Sequence, residues 1–342
     1  MRAVFAIPGD LGTPTGGYAY ARRLIREAPQ HGLALEPVVL PGEYPNVTPK
    51  TLAAAGEVLL SIPADRPVLV DGLALGILPS AMLRAVRAPL IGLCHHPLAL
   101  ETGLAPESAR QLRTRETEAL AQCRHVVTTS HATAVILTRD YGVSGARLTV
   151  APPGTDPAPR ALAGGDVCRV LSVGSLTPRK GHDRLIAALC RADSLNWTAR
   201  IIGPPRDTAT AAKLSDQIVD AGLEDRISLA GAVPLTTLTA AYQSSDLFVL
   251  ASAFEGFGMA FTEAMAHGLP VLGLASPAVE EATAGAARLV QPEEFADMLV
   301  SLIGDAAERA ALADRCWTAA QTLMRWSGTA AIIAGVLNRI DI

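Results

Sequence analysis

The sequence of 342 residues lacks the features that mark several protein classes. No apolar run reaches the roughly 18 residues that a membrane-spanning helix requires. The 5 cysteines are scattered and none forms a Cys-x-x-Cys pair, which argues against a disulfide framework or a zinc site and favours a reducing cytoplasm. No segment has the low hydrophobicity that accompanies disorder, so we expect the whole chain to fold.

An excess of basic residues is also absent. The net charge is −4, which argues against a nucleic acid as partner, because binding to a duplex requires a basic surface. The charge is uneven: residues 1–160 carry +2 and the remainder carries −6. The mildly basic first part leaves open a weak contact with the inner face of an anionic membrane.

What is present is an alternation of short apolar runs with helical stretches, which predicts parallel sheets covered by helices. Strands are predicted at Ala3–Ile7, Ala34–Leu40, Pro67–Val70, Pro89–Leu93, His125–Thr128, Leu148–Ala151, Cys168–Val173, Ala199–Ile202, Ile227–Ala230, Leu247–Leu250, Val271–Leu274 and Arg288–Val290. Helices are predicted at Tyr18–Gln30, Thr51–Leu60, Glu107–Gln122, His182–Ala192, Thr208–Ala221, Leu235–Gln243 and Met259–His267. This pattern indicates two doubly wound α/β domains that face each other across a cleft.

A segment rich in proline and glycine interrupts this alternation. It runs from Pro152 to Gly165, and its composition disfavours regular structure, so we interpret it as the linker between two domains. The length of the chain suits two domains of average size. In doubly wound sheets, ligands bind beyond the carboxyl ends of the strands, and the residues that follow each strand are therefore candidates for a site.

A loop with two adjacent cations follows the strand that ends at Val173. It begins with Gly174 and Ser175, and it ends with Arg179 and Lys180 before a helix. Free amides and the helix dipole at such a position favour an anion such as a diphosphate. A solvated Arg-Lys pair on a turn is the structural alternative.

A second loop carries two carboxylates. Glu255 precedes Gly256, Phe257 and Gly258, and Glu263 follows about one turn into the next helix. Glycines let backbone amides approach a ligand closely, and the two carboxylates could bind different hydroxyl pairs of one extended ligand. The alternatives are a capping role for Glu255 and a position on the helix surface for Glu263.

Two weaker features lie in the first half of the chain. His95 follows the strand Pro89–Leu93, where its side chain could bind a hydroxyl or a phosphate, and His96 comes next. Adjacent histidines diverge and are not accompanied by a further cluster of ligand spacing, so we predict no metal site. Gly16 and Gly17 precede the first helix, a turn that allows close approach but is common in α/β folds.

Taken together and in this order, the segments resemble the retaining GT-B glycosyltransferases of family 4, also called glycosyl transferases group 1. The resemblance covers nearly the whole chain. It consists of the Gly16-Gly17 turn, His95 (with His96 as the fallback), the Ser-x-x-Thr segment within Thr128–Thr133, Pro153–Asp156, Arg179–Gly181, the E-x7-E pair within Phe254–Ala266, Gly268–Val271, and Trp326-Ser327. The implied domains are residues 1–160 for the acceptor, residues 161–325 for the donor, and residues 326–342 as a helix that crosses back to the first domain.

The resemblance also implies roles for individual residues. Arg179 and Lys180 would neutralise the donor diphosphate, Glu263 would hold the ribose hydroxyls, and Glu255 would hold sugar hydroxyls together with the amides of residues 256–258. His95 would approach the transferred sugar, and the Gly16-Gly17 turn would admit the diphosphate. The implied reaction uses a UDP- or GDP-sugar as donor, needs no cofactor or metal, and acts on a glycan, lipid-linked or small-molecule acceptor, with cell-envelope glycans as one option.

The chain departs from the family pattern at two places. Ser175 stands where many members have Arg, and Ser276–Glu280 replaces a Gly-Gly-x-x-Glu segment. The Asp-x-Asp motif of the other major glycosyltransferase fold is absent, as is the GxGxxG motif of nicotinamide oxidoreductases. A non-catalytic module that binds a nucleotide sugar or glycan, and a phosphorylase or epimerase on the same fold, stay open as alternatives.

Overall fold

A computed structural model describes residues 1–162 and 164–340 of the chain. The chain divides into two compact units. Unit 1 comprises Met1–Gly154 together with Met324–Ile342, and unit 2 comprises Thr155–Leu323. The first boundary falls inside the segment rich in proline and glycine, a few residues before the predicted position at 160, and the described part of that segment contains no helix or strand.

Unit 1 is built on a parallel sheet. In chain order its strands are β1 (Arg2–Pro8), β2 (Ala34–Leu40), β3 (Val68–Asp71), β4 (Leu90–Cys94), β5 (His125–Thr128) and β6 (Leu148–Val150), arranged as β2-β1-β3-β4-β5-β6. Its helices are α1 (Gly16–Glu27), α2 (Pro49–Leu60), α3 (Gly72–Leu75), α4 (Ser80–Ala85), α5 (Pro106–Gln122), α6 (His131–Tyr141) and, at the far end of the sequence, α14 (Trp326–Asn338). Short 3₁₀ turns lie at Ala28–His31, Leu98–Leu100 and Gly145–Arg147.

Unit 2 has the same plan. Its parallel strands are β7 (Cys168–Val173), β8 (Trp197–Ile202), β9 (Ile227–Leu229), β10 (Leu247–Leu250), β11 (Val271–Leu274) and β12 (Arg288–Val290), arranged as β12-β11-β10-β7-β8-β9. Its helices are α7 (His182–Cys190), α8 (Thr208–Asp220), α9 (Leu235–Gln243), α10 (Met259–Ala266), α11 (Pro277–Ala282), α12 (Phe295–Gly304) and α13 (Ala306–Ala320), with a 3₁₀ turn at Pro178–Lys180.

The central strands of both sheets are buried on both faces. Every residue of β3, β4, β10 and β11 is buried, which explains why these strands are continuous apolar runs in the sequence. Each sheet has a hydrophobic core of its own. All twelve predicted strands overlap strands of the described structure, and six of them (Ala34–Leu40, His125–Thr128, Cys168–Val173, Leu247–Leu250, Val271–Leu274 and Arg288–Val290) have the predicted bounds.

Helix α14 packs against the start of unit 1. The Trp326 ring meets the Tyr20 ring edge-on, with centroids 5.5 Å apart, and Thr329 donates a hydrogen bond to the carbonyl of Pro152 at 2.6 Å. Gly154 lies so close that a Cβ atom there would be 2.2 Å from the Trp326 nitrogen. Only glycine fits at position 154, where the chain passes the first residue of α14. Helix α14 then packs against α1. Within the described ranges, no helix has both the length and the apolar character needed to cross a membrane.

Candidate functional site

The loop after β7 and the loop after β10 lie side by side in unit 2, because their strands are neighbours in the sheet. The amide of Ala253 donates a hydrogen bond to the carbonyl of Arg179 at 2.8 Å. Gly181 ends the first loop with a φ of 66°, and a Cβ atom there would be 2.1 Å from the carbonyl oxygen of Ala251. A glycine is therefore required both for the backbone conformation and for the contact between the loops.

The two cations of the first loop meet Glu255 of the second. Lys180 Nζ lies 2.6 Å from Glu255 Oε1, and an Arg179 guanidinium nitrogen lies 3.6 Å from Oε2. Arg179 also donates to the carbonyl of Phe254 at 2.7 Å. The hydroxyl of Ser252, two residues beyond β10, donates to Glu255 Oε1 at 2.6 Å. The result is a compact cluster of two positive charges and one negative charge at the carboxyl end of the sheet.

The cluster keeps Glu255 ionised although the residue is buried, with 7% of its surface exposed. Burial by itself raises the pKa of the carboxyl group. The charges of Lys180 and Arg179, with hydrogen bonds from Lys180 and Ser252, outweigh it and hold the pKa of Glu255 below its usual value. Loss of the charge on either Lys180 or Glu255 would leave the other charge buried without its main partner.

The chain after Glu255 forms a short glycine loop that leads into α10. Gly256 and Phe257 are partly buried, and Gly258 precedes the helix with a φ of 110°. This conformation is open to glycine and strained for other residues. No side chain caps the first turn of α10, so its first amides have no side-chain acceptor.

Glu263 lies on α10, apart from the ion cluster, and pairs with a residue of α9. The hydroxyl of Tyr242 donates to Glu263 Oε2 at 3.0 Å. Burial is the main cause that raises the pKa of Glu263 to about 7; the Tyr242 hydrogen bond opposes the rise and the negative charge of Asp156 adds to it. Near neutral pH this carboxyl group can therefore gain or lose a proton, unlike Glu255.

Gly174 and Ser175 begin the first loop, and a buried histidine contacts the start of this loop. His182 Nε2 donates to the carbonyl of Gly174 at 3.1 Å, and His182 Nδ1 lies 3.4 Å from the hydroxyl of Ser172. Burial lowers the pKa of His182 to about 4, so the ring is neutral at pH 7. A Cβ atom on Gly174 would lie 3.1 Å from Lys180 Cδ, which shows that the lysine stem runs over this glycine.

In unit 1 the structure brings His95 and Gly17 together. A Cβ atom on Gly17 would be 3.6 Å from His95 Cδ2, so the Gly-Gly turn lies against the imidazole, whose Nε2 is buried. Asp71, buried at the end of β3, has Oδ2 3.6 Å from His95 Nε2 and accepts a hydrogen bond from the amide of Leu73 at 2.9 Å through Oδ1. Tyr20 packs edge-on against the His95 ring.

The structure thus unites Arg179, Lys180 and Glu255 directly, while Glu263 has a separate partner. Sequence reasoning did not single out Ser252 or Asp71, although both follow or end buried strands and the rule on strand ends could have found them. Tyr242 and His182 carried no comparable signal, because their polar atoms are buried in helices. Among the described residues, no group of three or more His, Cys, Asp or Glu side chains is arranged to hold a metal ion.

Two family models match the chain. Residues 162–322 match the model described as glycosyl transferases group 1, which includes the ion cluster and Glu263. Residues 16–159 match the model described as glycosyltransferase family 4, which includes His95 and the Gly-Gly turn. The two matches adjoin each other at the linker and together span most of the chain.

The chain is also similar to curated proteins. It is 31% identical over 170 residues to the mannosylfructose-phosphate synthase of Agrobacterium fabrum, which is 44% of this chain and 37% of that one. It is 28% identical over 246 residues to a D-inositol 3-phosphate glycosyltransferase of Nocardia farcinica, covering 64% and 54%. The chain thus spans about half of these relatives or less. With the MMP alpha-(1->4)-mannosyltransferase of Mycolicibacterium hassiacum the identity is 25% over 314 residues, covering 85% and 75%.

Solved structures share the fold. HepE of Anabaena in complex with UDP and glucose superposes with a TM-score of 0.77 at 18% identity, covering 99% of this chain and 100% of that one. Sucrose-phosphate synthase of Thermosynechococcus elongatus gives 0.80 at 20% identity, and WaaG, a glycosyltransferase involved in lipopolysaccharide biosynthesis, gives 0.78 at 18%, each with at least 99% coverage of both chains. The prediction of two Rossmann-like α/β domains of the GT-B type is confirmed.

Proposed function

Because the chain belongs to the group 1 glycosyltransferases, we propose that it transfers a sugar from a nucleoside diphosphate sugar to an acceptor hydroxyl, with retention of configuration at the transferred carbon. The observation that carries the proposal is the contact of Arg179 and Lys180 with Glu255 at the carboxyl end of the unit 2 sheet. Two cations suit a diphosphate, and the carboxylate beside them suits the hydroxyls of the sugar attached to it.

The donor lies along unit 2 in this proposal. Arg179 and Lys180 bind the diphosphate, assisted by the loop that begins with Gly174 and Ser175. Glu255 accepts hydrogen bonds from sugar hydroxyls, and the amides at the start of α10 bind the same sugar. Glu263, farther along the helix, accepts hydrogen bonds from the ribose. HepE is described in complexes with UDP and with UDP-glucose, which supports a nucleotide-sugar donor here as well.

The reaction replaces one bond of the sugar with another. The bond from the anomeric carbon to the diphosphate oxygen breaks, the acceptor oxygen bonds to the same face of that carbon, and the acceptor proton passes to the departing diphosphate. Lys180 and Arg179 stabilise the negative charge that grows on the leaving group, which is an electrostatic contribution to catalysis. Orientation of the two substrates supplies the rest. The proposed chemistry uses no metal and no cofactor.

Unit 1 supplies the acceptor side in this proposal. His95, which lies beside Asp71 and the Gly16-Gly17 turn, approaches the transferred sugar. Two of the curated relatives are named for inositol phosphate and mannosylfructose phosphate, and one structural neighbour is named for lipopolysaccharide, so small phosphorylated polyols and envelope glycans are the first acceptors to test. A cytoplasmic location and a weak membrane contact through unit 1 stay predictions.

The test has a binding stage and a transfer stage. Melting temperatures are measured with UDP, GDP, UDP-glucose and GDP-mannose, with and without a chelator, because a ligand of the folded state raises the melting temperature. The donor that binds is then incubated with D-inositol 3-phosphate, sugar phosphates or glycan acceptors, and the anomeric configuration of the product is read by NMR. We expect a chelator-insensitive shift and a product with the donor's configuration.

Lys180→Met tests the site, since it keeps the stem over Gly174 and removes the charge. The matched control is Lys213→Met, which removes an exposed lysine of α8 in the same unit. We expect Lys180→Met to lower kcat by about 10²- to 10³-fold, the range for loss of one group that stabilises the transition state, and Lys213→Met to leave it unchanged. Binding without transfer to any acceptor would support a non-catalytic module instead, and an inverted product would refute retention.

A further inference from the structure

The carboxylate of Glu255 neutralises the cations that would bind a diphosphate. Lys180 and Arg179 bring two positive charges to the cluster and Glu255 removes one of them. Lys180 Nζ is within hydrogen-bond distance of Glu255 Oε1, and the side chains of all three residues are less than one-fifth exposed. Phosphate oxygens that bind Lys180 therefore compete with a carboxylate that is already in place.

Competition for Lys180 has a cost for Glu255. A carboxylate this deeply buried that loses part of its ion pair retains the hydrogen bond from Ser252 at 2.6 Å and the more distant Arg179. A buried charge with incomplete compensation is strongly unfavourable, and hydrogen bonds from a ligand can replace what is lost. Any ligand that takes the lysine must therefore offer hydroxyl donors to Glu255, or bind weakly.

We infer that Glu255 makes the site select a nucleoside diphosphate that bears a sugar over the free nucleoside diphosphate. The inference rests on the proposed function and adds a property to it: weak retention of the nucleotide product. A sugar nucleotide brings hydroxyl groups that donate to Glu255. A free nucleoside diphosphate lacks these sugar hydroxyls, since its ribose hydroxyls are assigned to Glu263. Its terminal phosphate, with a second ionisation near pH 6, carries about one more negative charge at pH 7.

Substitutions of Glu255 and of Ser252 should have opposite effects on this selectivity. Glu255→Gln removes the buried charge, so the free nucleotide no longer meets an opposing carboxylate. Ser252→Ala keeps the charge and removes one of its hydrogen bonds, so Glu255 depends more on Lys180 and on the hydroxyls of the sugar. The selectivity for the sugar nucleotide should fall in the first variant and rise in the second.

The measured quantity is the ratio of the Kd of UDP to that of UDP-glucose at pH 7, determined by calorimetry, with GDP and GDP-mannose as the second pair. We expect Glu255→Gln to lower the ratio about tenfold or more, with tighter binding of the free diphosphate, which is the size of one hydrogen bond to a charged group. Ser252→Ala should raise the ratio several-fold. Glu224→Gln, the same change at an exposed position of unit 2, is the control and should leave the ratio unchanged.

Partial misfolding weakens the binding of both ligands alike, so it leaves the ratio of their Kd values unchanged. If both pairs bind but the ratio in Glu255→Gln equals that of the wild type, or if the two variants move it in the same direction, this inference is wrong and the proposed function is unaffected. If none of the four nucleotides binds the wild-type protein, the proposed function itself fails, and the inference fails with it.

Discussion

The hydroxyl group of Tyr242 donates a hydrogen bond to Glu263 Oε2 at 3.0 Å, which links helix α9 to helix α10 beside the loop that carries Glu255. Tyr242 is buried and stacks on His267, with ring centroids 5.1 Å apart. Glu263 is thereby held in one orientation, with a pKa of about 7. A group that titrates in this range gives the proposed ribose site a pH dependence that can be measured.

We predict that nucleotide affinity rises with pH through about 7. Ribose hydroxyls donate hydrogen bonds, so they prefer the ionised form of Glu263, which exists above its pKa and is lost as the pH falls. Because the Tyr242 hydrogen bond lowers that pKa, Tyr242→Phe should move the midpoint to higher pH. The measurement is Kd for the bound nucleotide between pH 5.5 and 8.5. Glu263→Gln should bind more weakly without this step, and persistence of the step in that variant would refute the assignment.

A second prediction concerns the buried His182 and the pH dependence of stability. The pKa of His182 is lowered in the folded protein to about 4 from a usual value near 6.5. The unfolded chain therefore binds a proton that the folded chain does not, and stability is complete above pH 6.5 and falls as the pH drops toward 4. Between pH 7 and pH 5 the loss from this residue is about 2 kcal/mol.

His182→Gln can still donate to the carbonyl of Gly174 but does not titrate. We measure the free energy of unfolding in urea at pH 7 and at pH 5. We expect it to fall by about 2 kcal/mol less in this variant than in the wild type. The other ionisable groups are common to both proteins, so the difference between the two losses of unfolding free energy comes from His182. Equal pH dependence in the two proteins would mean that folding does not lower the pKa of His182.

A third prediction concerns Gly154, where a Cβ atom would be 2.2 Å from the backbone nitrogen of Trp326. Gly154→Ala must move α14 or the chain before it, and we expect a loss of about 3 kcal/mol or more in the unfolding free energy of unit 1. Gly145→Ala is the matched control, because a Cβ atom there meets nothing within 4 Å. Hydrogen exchange of α14 should quicken in the first variant alone. Unchanged stability in both variants would contradict the described packing.

A fourth prediction concerns Asp71 and its role beside His95. Asp71→Asn keeps an oxygen that can accept from the amide of Leu73, so we expect the fold of unit 1 to persist. The variant removes the negative charge near His95 Nε2, and kcat/KM for transfer should fall about tenfold while donor Kd is unchanged. Asp65→Asn, an exposed change in the same unit, should have no effect. A parallel loss of donor binding would show that Asp71 acts on the donor site.

The sequence allowed the strands to be predicted, and it directed attention to the residues that follow them. Strands that are buried on both faces are apolar throughout, and ligands bind beyond the carboxyl ends of such strands, which made Lys180 and Glu255 candidate residues. Their contact with each other was not predicted, because the pattern of strands and helices does not specify which strands are neighbours. The partner of Glu263 could not be predicted, because Tyr242 reads as an ordinary apolar position of α9. Its hydroxyl contacts the carboxylate of Glu263 only because α9 and α10 pack together. The hydrophobic periodicity of a helix does not specify which other helix it packs against.

The return of α14 to unit 1 has a consequence for the order in which the protein is made. Unit 2 is one continuous segment, so all of it has been synthesised before Trp326 is added to the chain. Domains generally fold as units while the chain emerges from the ribosome. Unit 2 can therefore complete its fold without α14, whereas Tyr20 and its neighbours on α1 are covered only when α14 is present. A released chain truncated before Met324 should contain a native unit 2 and an incomplete unit 1.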